Sequence, residues 1–193
     1  MSEEIALFPL NTVLFPGGPL VLRIFEARYL DLVKRCMRDG TGFGVVQIRE
    51  GQEAGGPALT FDVGTYARIV DFSQQPDGLL GIRALGERRF RIVERRRARD
   101  GLNLADVEWL PVDPPTPLPE AYAELGPAID AALTQIGDPY VDFERRPDDA
   151  GWVSGRLAEI LPVPGVHKQH CLELDDPVER LSYLRPMFEI GYR

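Results

Sequence analysis

The sequence predicts an α+β fold, in which a β-structure with one packed helix is followed by a helical segment. Short apolar segments punctuated by glycine run up to about residue 111, as in a series of strands and hairpins. Helical periodicity replaces that pattern afterwards. Between the two lies the stretch 110–119, whose five prolines lock φ and cannot donate backbone hydrogen bonds, as in an extended linker. We therefore expect two domains, residues 1–113 and 118–193.

The N-terminal half begins with two strand candidates and one helix candidate. Residues 5–8 and 20–24 are apolar and are bounded by turn residues. A helix is predicted over residues 26–38, because apolar residues recur at helical spacing and Gly40 follows as a stop signal. Residues 43–48 form the next buried-strand candidate. The predicted apolar face of the helix consists of Tyr29, Leu30, Val33 and Met37.

Two hairpins are predicted next. The segments 63–72 and 79–93 flank residues 75–78 (Gln-Pro-Asp-Gly), where proline presets φ and glycine accepts a positive φ. A second hairpin turns at residues 100–101 (Asp-Gly), and its outgoing strand alternates apolar and polar side chains. Consecutive hairpins of this length suggest a small antiparallel barrel or sandwich with the helix packed against it.

The C-terminal half has the pattern of several helices. Residues 120–136 are helical by pattern, with a kink or split expected at the Gly-Pro step 126–127. Further helices are expected over residues 149–161 and 166–172. Asp176 is a helix N-cap candidate, because proline occupies the first helical position after it and glutamate the third.

Composition and charge indicate where the protein is located and which class of partner it does not bind broadly. The net charge of −8 disfavours broad binding to nucleic acid, since phosphate contacts need a positive surface. The sequence has no run of 18 apolar residues and no basic, apolar leader at its start. We therefore expect a cytoplasmic protein in which Cys36 and Cys171 remain reduced thiols.

The usual nucleotide and hydrolase motifs are missing from the sequence. A P-loop requires a Gly-Lys step, and neither Lys34 nor Lys168 follows a glycine. Ser154 has glycines at the wrong offsets for a nucleophile elbow, so we interpret it as a small helix residue. We predict no catalytic residues, no cofactor and no enzyme activity.

A metal site is considered at His167, His170 and Cys171, which lie close together on one predicted helix. A structural zinc site needs four protein ligands and a catalytic site three, so a distant segment would have to complete the set. The simpler interpretation is two solvent-facing histidines and one cysteine packed under the helix. We therefore predict no metal site.

The basic stretch 88–99 is the strongest candidate for nucleic-acid contact. Strand alternation places Arg89 and Arg91 on one face, with Phe90 and Ile92 on the other. The favoured interpretation is a solvated strand face whose charges protect an edge, because acidic residues outnumber basic ones overall. RNA binding through Arg95, Arg96 and Arg97 remains the alternative.

Five motifs in order resemble the N-terminal, substrate-binding domain of Lon proteases: residues 5–18 (IALFPLNTVLFPGG), 23–29 (RIFEARY), 63–69 (VGTYARI), 79–92 (LLGIRALGERRFRI) and 173–181 (ELDDPVERL). The resemblance implies a PUA-like six-stranded antiparallel pseudo-barrel with one packed helix, followed by a C-terminal helical bundle. In Lon proteases this domain precedes an ATPase part and a protease part. Because the sequence has no P-loop, we expect a stand-alone relative without those two parts. Pro127, Pro147 and residues 148–151 interrupt what is often a longer helix in that family.

The same resemblance implies recognition of unfolded or partner polypeptides. A binding groove would need exposed apolar side chains beside a few charges. We look for it at Arg23, Phe25, Glu26 and Arg28, because this segment joins the second strand to the helix. Two simpler roles compete: Phe25 could cap the core, and Glu26 could favour the helix N-terminus. The alternative function is an RNA-binding PUA-like module, and the oligomeric state is left open.

Overall fold

The computed structural model describes residues 3–53, 58–141 and 143–189, and for Glu189 the backbone alone. The chain divides into two compact units, Met1–Leu110 and Pro111–Arg193. Within the described residues, all seven strands and one α-helix lie in the first unit, and four further α-helices lie in the second. The prediction of a fold that mixes sheet and helix, with a sheet-rich first half and a helical second half, is therefore confirmed.

The first unit contains strands β1 to β7 and helix α1. Their bounds are β1 Glu3–Leu10, β2 Pro19–Ile24, α1 Ala27–Asp39, β3 Phe43–Glu50, β4 Leu59–Thr60, β5 Val63–Gln74, β6 Leu80–Arg97 and β7 Asn103–Trp109. Both predicted hairpin turns are present. In the first, the Gly78 N–H donates to the Gln75 carbonyl at 2.8 Å, and in the second the Gly101 N–H donates to the Ala98 carbonyl at 2.9 Å.

The second unit contains a short 3-10 helix, Glu120–Tyr122, and helices α2 to α5. Their bounds are α2 Leu125–Ile136, α3 Ala150–Ile160, α4 Gly165–Glu173 and α5 Pro177–Glu189. The predicted break at the Gly-Pro step 126–127 is wrong, because the chain breaks before Leu125 instead. Pro127 lies in the first turn of α2, where backbone N–H groups have no partner within the helix. The predicted N-cap is found: the Val178 N–H donates to Asp176 Oδ1 at 2.8 Å.

Strand pairings run from β1 through β7, β6, β5 and β3 back to β1. β2 pairs with β6, and β4 pairs with β3. The pairing of β1 with β3 is parallel, whereas the other pairings among the described strands are antiparallel. The expectation of six purely antiparallel strands is therefore wrong in count and in this one pairing. A parallel pair requires a crossover connection, which β2 and α1 supply between β1 and β3.

Helix α1 packs on the sheet through a face that differs in part from the prediction. Glu26 occupies the N-cap position and Gly40 ends the helix with φ 66°. The predicted contribution of Met37 is wrong, because 43% of this residue is exposed. The buried face consists of Tyr29, Leu32, Val33 and Cys36. The ring of Tyr29 stacks on Phe8 with the centroids 4.0 Å apart, which joins the helix to β1.

A second apolar cluster fills the first unit around Phe90, which is fully buried. A methyl group built on Gly44 or on Gly64 would approach Phe90 Cζ at 2.7 Å. Both glycines therefore leave room for the aromatic ring, and this packing explains the glycine of the motif at residues 63–69. The other members of the cluster are Ile5, Leu7, Val46, Ile92, Ala105 and Val107.

Candidate functional site

The four residues predicted to bind polypeptide lie where β2 ends and α1 begins. Arg23 is in β2, Phe25 follows that strand, Glu26 is the N-cap of α1 and Arg28 is in its first turn. Phe25 is 63% exposed, so the alternative in which it caps the core is wrong. Arg23 is also exposed, whereas Glu26 and Arg28 are partly buried. The segment thus presents one exposed aromatic ring among charged residues.

Arg28 holds the start of α1 in place. Its Nη2 lies 2.8 Å from Glu26 Oε2, and its Nη1 donates to the Gly101 carbonyl at 3.0 Å. The guanidinium also lies 4.7 Å from the centroid of the Tyr29 ring. Only 13% of the Arg28 side chain is exposed, so these contacts hold it against the turn between β6 and β7. Burial raises the pKa of Tyr29 above its ordinary value, because desolvation disfavours the charged phenolate.

Glu26 favours the helix start through its backbone and its charge. Its backbone is extended, and its carbonyl accepts hydrogen bonds from the N–H groups of Tyr29 and Leu30, both at 3.0 Å. Its side chain makes no capping bond and contacts Arg28 instead. A negative charge near a helix N-terminus is favourable, so the helix-start role predicted as the simpler alternative agrees with this geometry.

Arg23 forms an ion pair with Asp77 in the turn between β5 and β6. The two side chains are 60% and 42% exposed. Exposed ion pairs contribute little to stability, because water and salt screen them. Arg23 can therefore exchange Asp77 for a carboxylate of another molecule at small cost.

Val21 is a site residue that the sequence reasoning missed. It is 52% exposed, while Leu20 and Ile24 of the same strand are buried. Val21, Arg23 and Phe25, which follow one another at every second position, are called the β2 rim below. The alternation of the strand could have identified Val21, because a strand residue two positions from an exposed arginine faces the same side.

Of the three arginines considered for RNA, Arg95 and Arg96 form ion pairs within the first unit, and Arg97 Nε donates to the Gly101 carbonyl at 3.4 Å. Arg95 Nη2 lies 2.6 Å from Asp62 Oδ1. Arg96 Nη2 lies 2.5 Å from Glu4 Oε2 and 2.8 Å from Asp106 Oδ1. These acidic partners offset the positive charge that a phosphate backbone would need.

The prediction of a solvated face on β6 is wrong at Arg89, which is buried. Arg91 is exposed as predicted, but Arg89 is 3% exposed and pairs across the strands with Thr65, which is fully buried. Thr65 Oγ1 donates to the Leu14 carbonyl at 2.5 Å. The segment between β1 and β2 therefore covers this face of the sheet, which strand alternation alone cannot reveal.

The metal candidates occupy ordinary structural positions in the second unit. His167 Nδ1 lies 2.7 Å from the Tyr183 hydroxyl. The ring centroid of the exposed His170 lies 4.4 Å from the ring centroid of Tyr183. The expectation of two solvent-facing histidines is therefore met by His170 and only in part by His167, which is half-buried. Cys171 is fully buried. Among the residues that the structure describes, no three His, Cys, Asp or Glu side chains converge as metal ligands.

Ser154 is buried in α3. Its hydroxyl donates to the Gly151 carbonyl at 3.2 Å and accepts a hydrogen bond from Arg180 Nη1 at 3.1 Å. A serine hydroxyl enclosed in this way serves helix packing, as the sequence suggested.

The sequence matches the family model described as the ATP-dependent protease La (LON) substrate-binding domain over residues 4–187. The chain belongs to this family. The resemblance that the five motifs carried is therefore confirmed across nearly the whole chain.

Curated relatives of this Lon substrate-binding family are much longer than the chain. The Lon protease of Haemophilus influenzae is 29% identical over 93% of the chain and 23% of its own length. Lon protease 2 of Myxococcus xanthus is 30% identical over 94% of the chain and 23% of its own length. The chain thus spans less than a quarter of either relative.

Solved structures of Lon N-terminal domains share the fold. A Lon N-terminal domain protein from Xanthomonas campestris is similar with a TM-score of 0.78 and 37% identity, over 95% of the chain and 98% of that protein. The N-terminal domain of the Mycobacterium avium complex Lon protease has a TM-score of 0.63 at 14% identity, over 95% and 97%, and supports the fold alone. Across residues 3–53, 58–141 and 143–189, no helix combines the length and apolar character that crossing a membrane requires.

Both cysteines of this Lon-family chain are free, buried thiols. Burial raises the pKa of Cys171 to about 11 and also raises that of Cys36. Because the thiolate is the reactive form, iodoacetamide at pH 8 should label the folded chain at least about tenfold more slowly than the urea-unfolded chain. Mass spectrometry of timed samples measures both rates. Labelling of either cysteine at the unfolded rate would contradict the burial described.

Proposed function

We propose that this chain is a non-catalytic module that recognises polypeptides. The proposed contact surface comprises Arg23, Phe25, Glu26 and Arg28. The observation that carries the proposal is the exposed Phe25 ring beside charged residues, in a chain that belongs to the Lon substrate-binding family. The unfolded or partner polypeptide is the proposed ligand, and the cytoplasm is the proposed location.

The architecture supports a rigid recognition surface. We propose that the ring of pairings through β1, β7, β6, β5 and β3 is the PUA-like pseudo-barrel, and that α2 to α5 form the helical bundle. We further propose residues 1–113 and 118–193 as the two domains. A surface built on a strand end and a helix start keeps its geometry better than one built on loops, so little ordering entropy would be lost on binding.

The four residues of the surface are proposed to have different roles, because their side chains differ in exposure. Phe25 supplies an apolar anchor whose burial by a ligand would be favourable, because aromatic side chains contribute strongly at interfaces. Arg23 supplies an exposed positive charge, whereas Glu26 and Arg28 hold the backbone around Phe25 through their mutual pair and the bond to Gly101. The expected ligand is therefore an apolar polypeptide segment with a nearby acidic residue.

Replacing Phe25 with alanine is expected to weaken binding to unfolded polypeptide roughly tenfold, because the apolar anchor is lost. The probe is fluorescent α-lactalbumin kept unfolded by reduction and alkylation, and anisotropy measures Kd. Leu59→Ala is the matched control, because Leu59 is 56% exposed on β4, a strand that pairs with β3 rather than β6. Binding of the control should equal that of the wild type.

The salt dependence of Kd distinguishes the polypeptide-binding proposal from the RNA-binding alternative. Binding through an apolar anchor should change little between low and physiological salt, whereas phosphate contacts weaken steeply. A structured RNA that binds tightly at low salt, with loss of binding when Arg95, Arg96 and Arg97 become glutamate, would overturn the polypeptide proposal. Equal Kd values for Phe25→Ala and wild type would show that this surface does not bind the polypeptide.

A further inference from the structure

We infer that the outer edge of β2 binds an extended polypeptide by adding it as a strand to the sheet. This inference deepens the proposed function and rests on it, because it specifies how the polypeptide is held. Main-chain hydrogen bonds would give the affinity, and the β2 rim would select side chains on the added strand.

The pairing pattern shows which edges are free. Among the described residues, each strand of the ring β1, β7, β6, β5 and β3 pairs with a strand on both of its sides over part of its length. β2 pairs with β6 on one side and with no described strand on the other. The outer part of β5, residues 68–74, is similarly paired with β6 alone. An unpaired edge offers backbone donors and acceptors to another chain.

The hydrogen-bond alternation identifies the backbone groups that face outward from β2. The Gly86 N–H donates to the Gly18 carbonyl at 2.9 Å, and the Gly17 N–H donates to the Gly86 carbonyl at 2.7 Å. Such positions recur at every second residue of an antiparallel pair, so Leu20, Leu22 and Ile24 bond to β6. The N–H and carbonyl groups of Val21 and Arg23 therefore face away from β6. Pro19 agrees with this register, because proline is tolerated where the N–H position faces outward.

The other free edge of this part of the sheet is blocked by a side chain. Gly81 pairs with Ser73, and the alternation that directs Leu22 toward β6 directs the Phe72 N–H outward on β5. That N–H donates to Asp71 Oδ1 at 2.8 Å, so it is already satisfied by its own neighbour. An outward N–H that is already bonded to a side chain of its own strand is not available to an added strand. β2 carries no such carboxylate, since its sequence is Pro-Leu-Val-Leu-Arg-Ile.

Charge and side-chain size select the occupant of the β2 edge. Residues of an added strand would lie beside Val21 and Arg23 at every second position, which suits an apolar residue next to an acidic one. Arg23 can accept such a carboxylate because its present pair with Asp77 is exposed. A second copy of this chain fits less well, because it would bring another Arg23 to the same edge and like charges repel.

The test is a substitution that removes the outward-facing N–H of Val21 and keeps the hydrogen bonds between β2 and β6. Val21→Pro should raise Kd about tenfold for a Gly/Ser-flanked peptide with the core Val-Thr-Glu-Thr-Val, because proline lacks the donor and its ring blocks the edge. Val21→Thr is the matched control, since it keeps the N–H and the branched shape, and its Kd should equal that of the wild type. Circular dichroism and urea unfolding verify that both variants fold.

A modified peptide keeps the test valid if Val21→Pro fails to fold. N-methylation of alternate residues in the same peptide removes the donors that would face β2, so its Kd for the wild-type chain should also rise about tenfold. Unchanged binding of the methylated peptide, or of Val21→Pro while Phe25→Ala loses affinity, would overturn strand addition and leave the proposed function intact. If unfolded α-lactalbumin and the peptide both fail to bind the wild type, the two proposals fall together.

Discussion

Replacing Arg180 with alanine is expected to lower the free energy of unfolding by about 3–5 kcal/mol, because it removes a buried guanidinium that pairs with a partly buried carboxylate and bonds to several buried acceptors. Only 3% of Arg180 is exposed. Its Nη1 and Nη2 lie 3.2 and 3.1 Å from Asp113 Oδ2, and Nη1 also donates to Ser154 Oγ at 3.1 Å. Its Nε donates to the Cys171 carbonyl at 2.9 Å, and Nη2 donates to the Leu174 carbonyl at 3.0 Å. Loss of the guanidinium leaves these acceptors without that donor.

The measurement for Arg180→Ala is urea unfolding at neutral pH followed by circular dichroism. Arg146→Ala is the control in the same unit, because Arg146 is half-exposed and lies 3.8 Å from Glu144. Its free energy of unfolding should change by no more than about 0.5 kcal/mol. A loss below about 1 kcal/mol for Arg180→Ala would show that water or neighbouring groups replace the arginine.

Truncation of Phe90 to alanine should lower the free energy of unfolding by about 3–5 kcal/mol, through lost burial and an unfilled cavity. Its ring is fully buried over Gly44 and Gly64, and its centroid lies 6.4 Å from that of Trp109 in an edge-on arrangement. Neither glycine has a side chain that could fill the space. Calorimetry or urea unfolding of the chain, compared with the wild type, measures the loss.

Val93→Ala is the control for Phe90→Ala, because Val93 lies on the same strand and is 57% exposed. Its unfolding free energy should stay within about 0.5 kcal/mol of the wild-type value. If both variants lose the same stability, strand propensity rather than ring burial determines the effect.

Local signals in the sequence predicted the local elements well. The helix expected over residues 26–38 is found at Ala27–Asp39, and the Pro-Asp-Gly and Asp-Gly turns form the predicted hairpins. These features depend on neighbouring residues, such as the αL conformation of Gly40. Long-range pairings carry no such signal, so the parallel pairing of β1 with β3 and the placement of β2 on β6 were not predictable.

Burial by distant segments explains the remaining errors. Alternation along β6 correctly predicted that Phe90 is buried and Arg91 exposed. It could not predict that the segment after β1 bonds to Thr65, the cross-strand neighbour of the buried Arg89. Helical spacing similarly selected Met37 for the buried face, although the neighbouring Cys36 lies in the core cluster and Met37 is exposed.

The sequence identified the segment that forms the candidate surface, but it could not predict the contacts and positions of its side chains. Arg23, Phe25, Glu26 and Arg28 were found from the resemblance to the Lon family and from their place between a strand and a helix. Pair partners such as Gly101 lie far away in sequence, so the fixed position of Arg28 could not be foreseen. The free edge of β2 depends on the pairing of the whole sheet, which a sequence pattern does not specify.

The central claim is that polypeptide binds at the end of β2 and the start of α1. Amide NMR spectra of the isotope-labelled chain, recorded during titration with unlabelled, unfolded α-lactalbumin, test it most directly. We expect the largest shift changes at residues 19–28, with little change in the arginine-rich end of β6 or in the second unit. Changes centred on residues 93–99, or on α2 to α5 with residues 19–28 unaffected, would contradict the account.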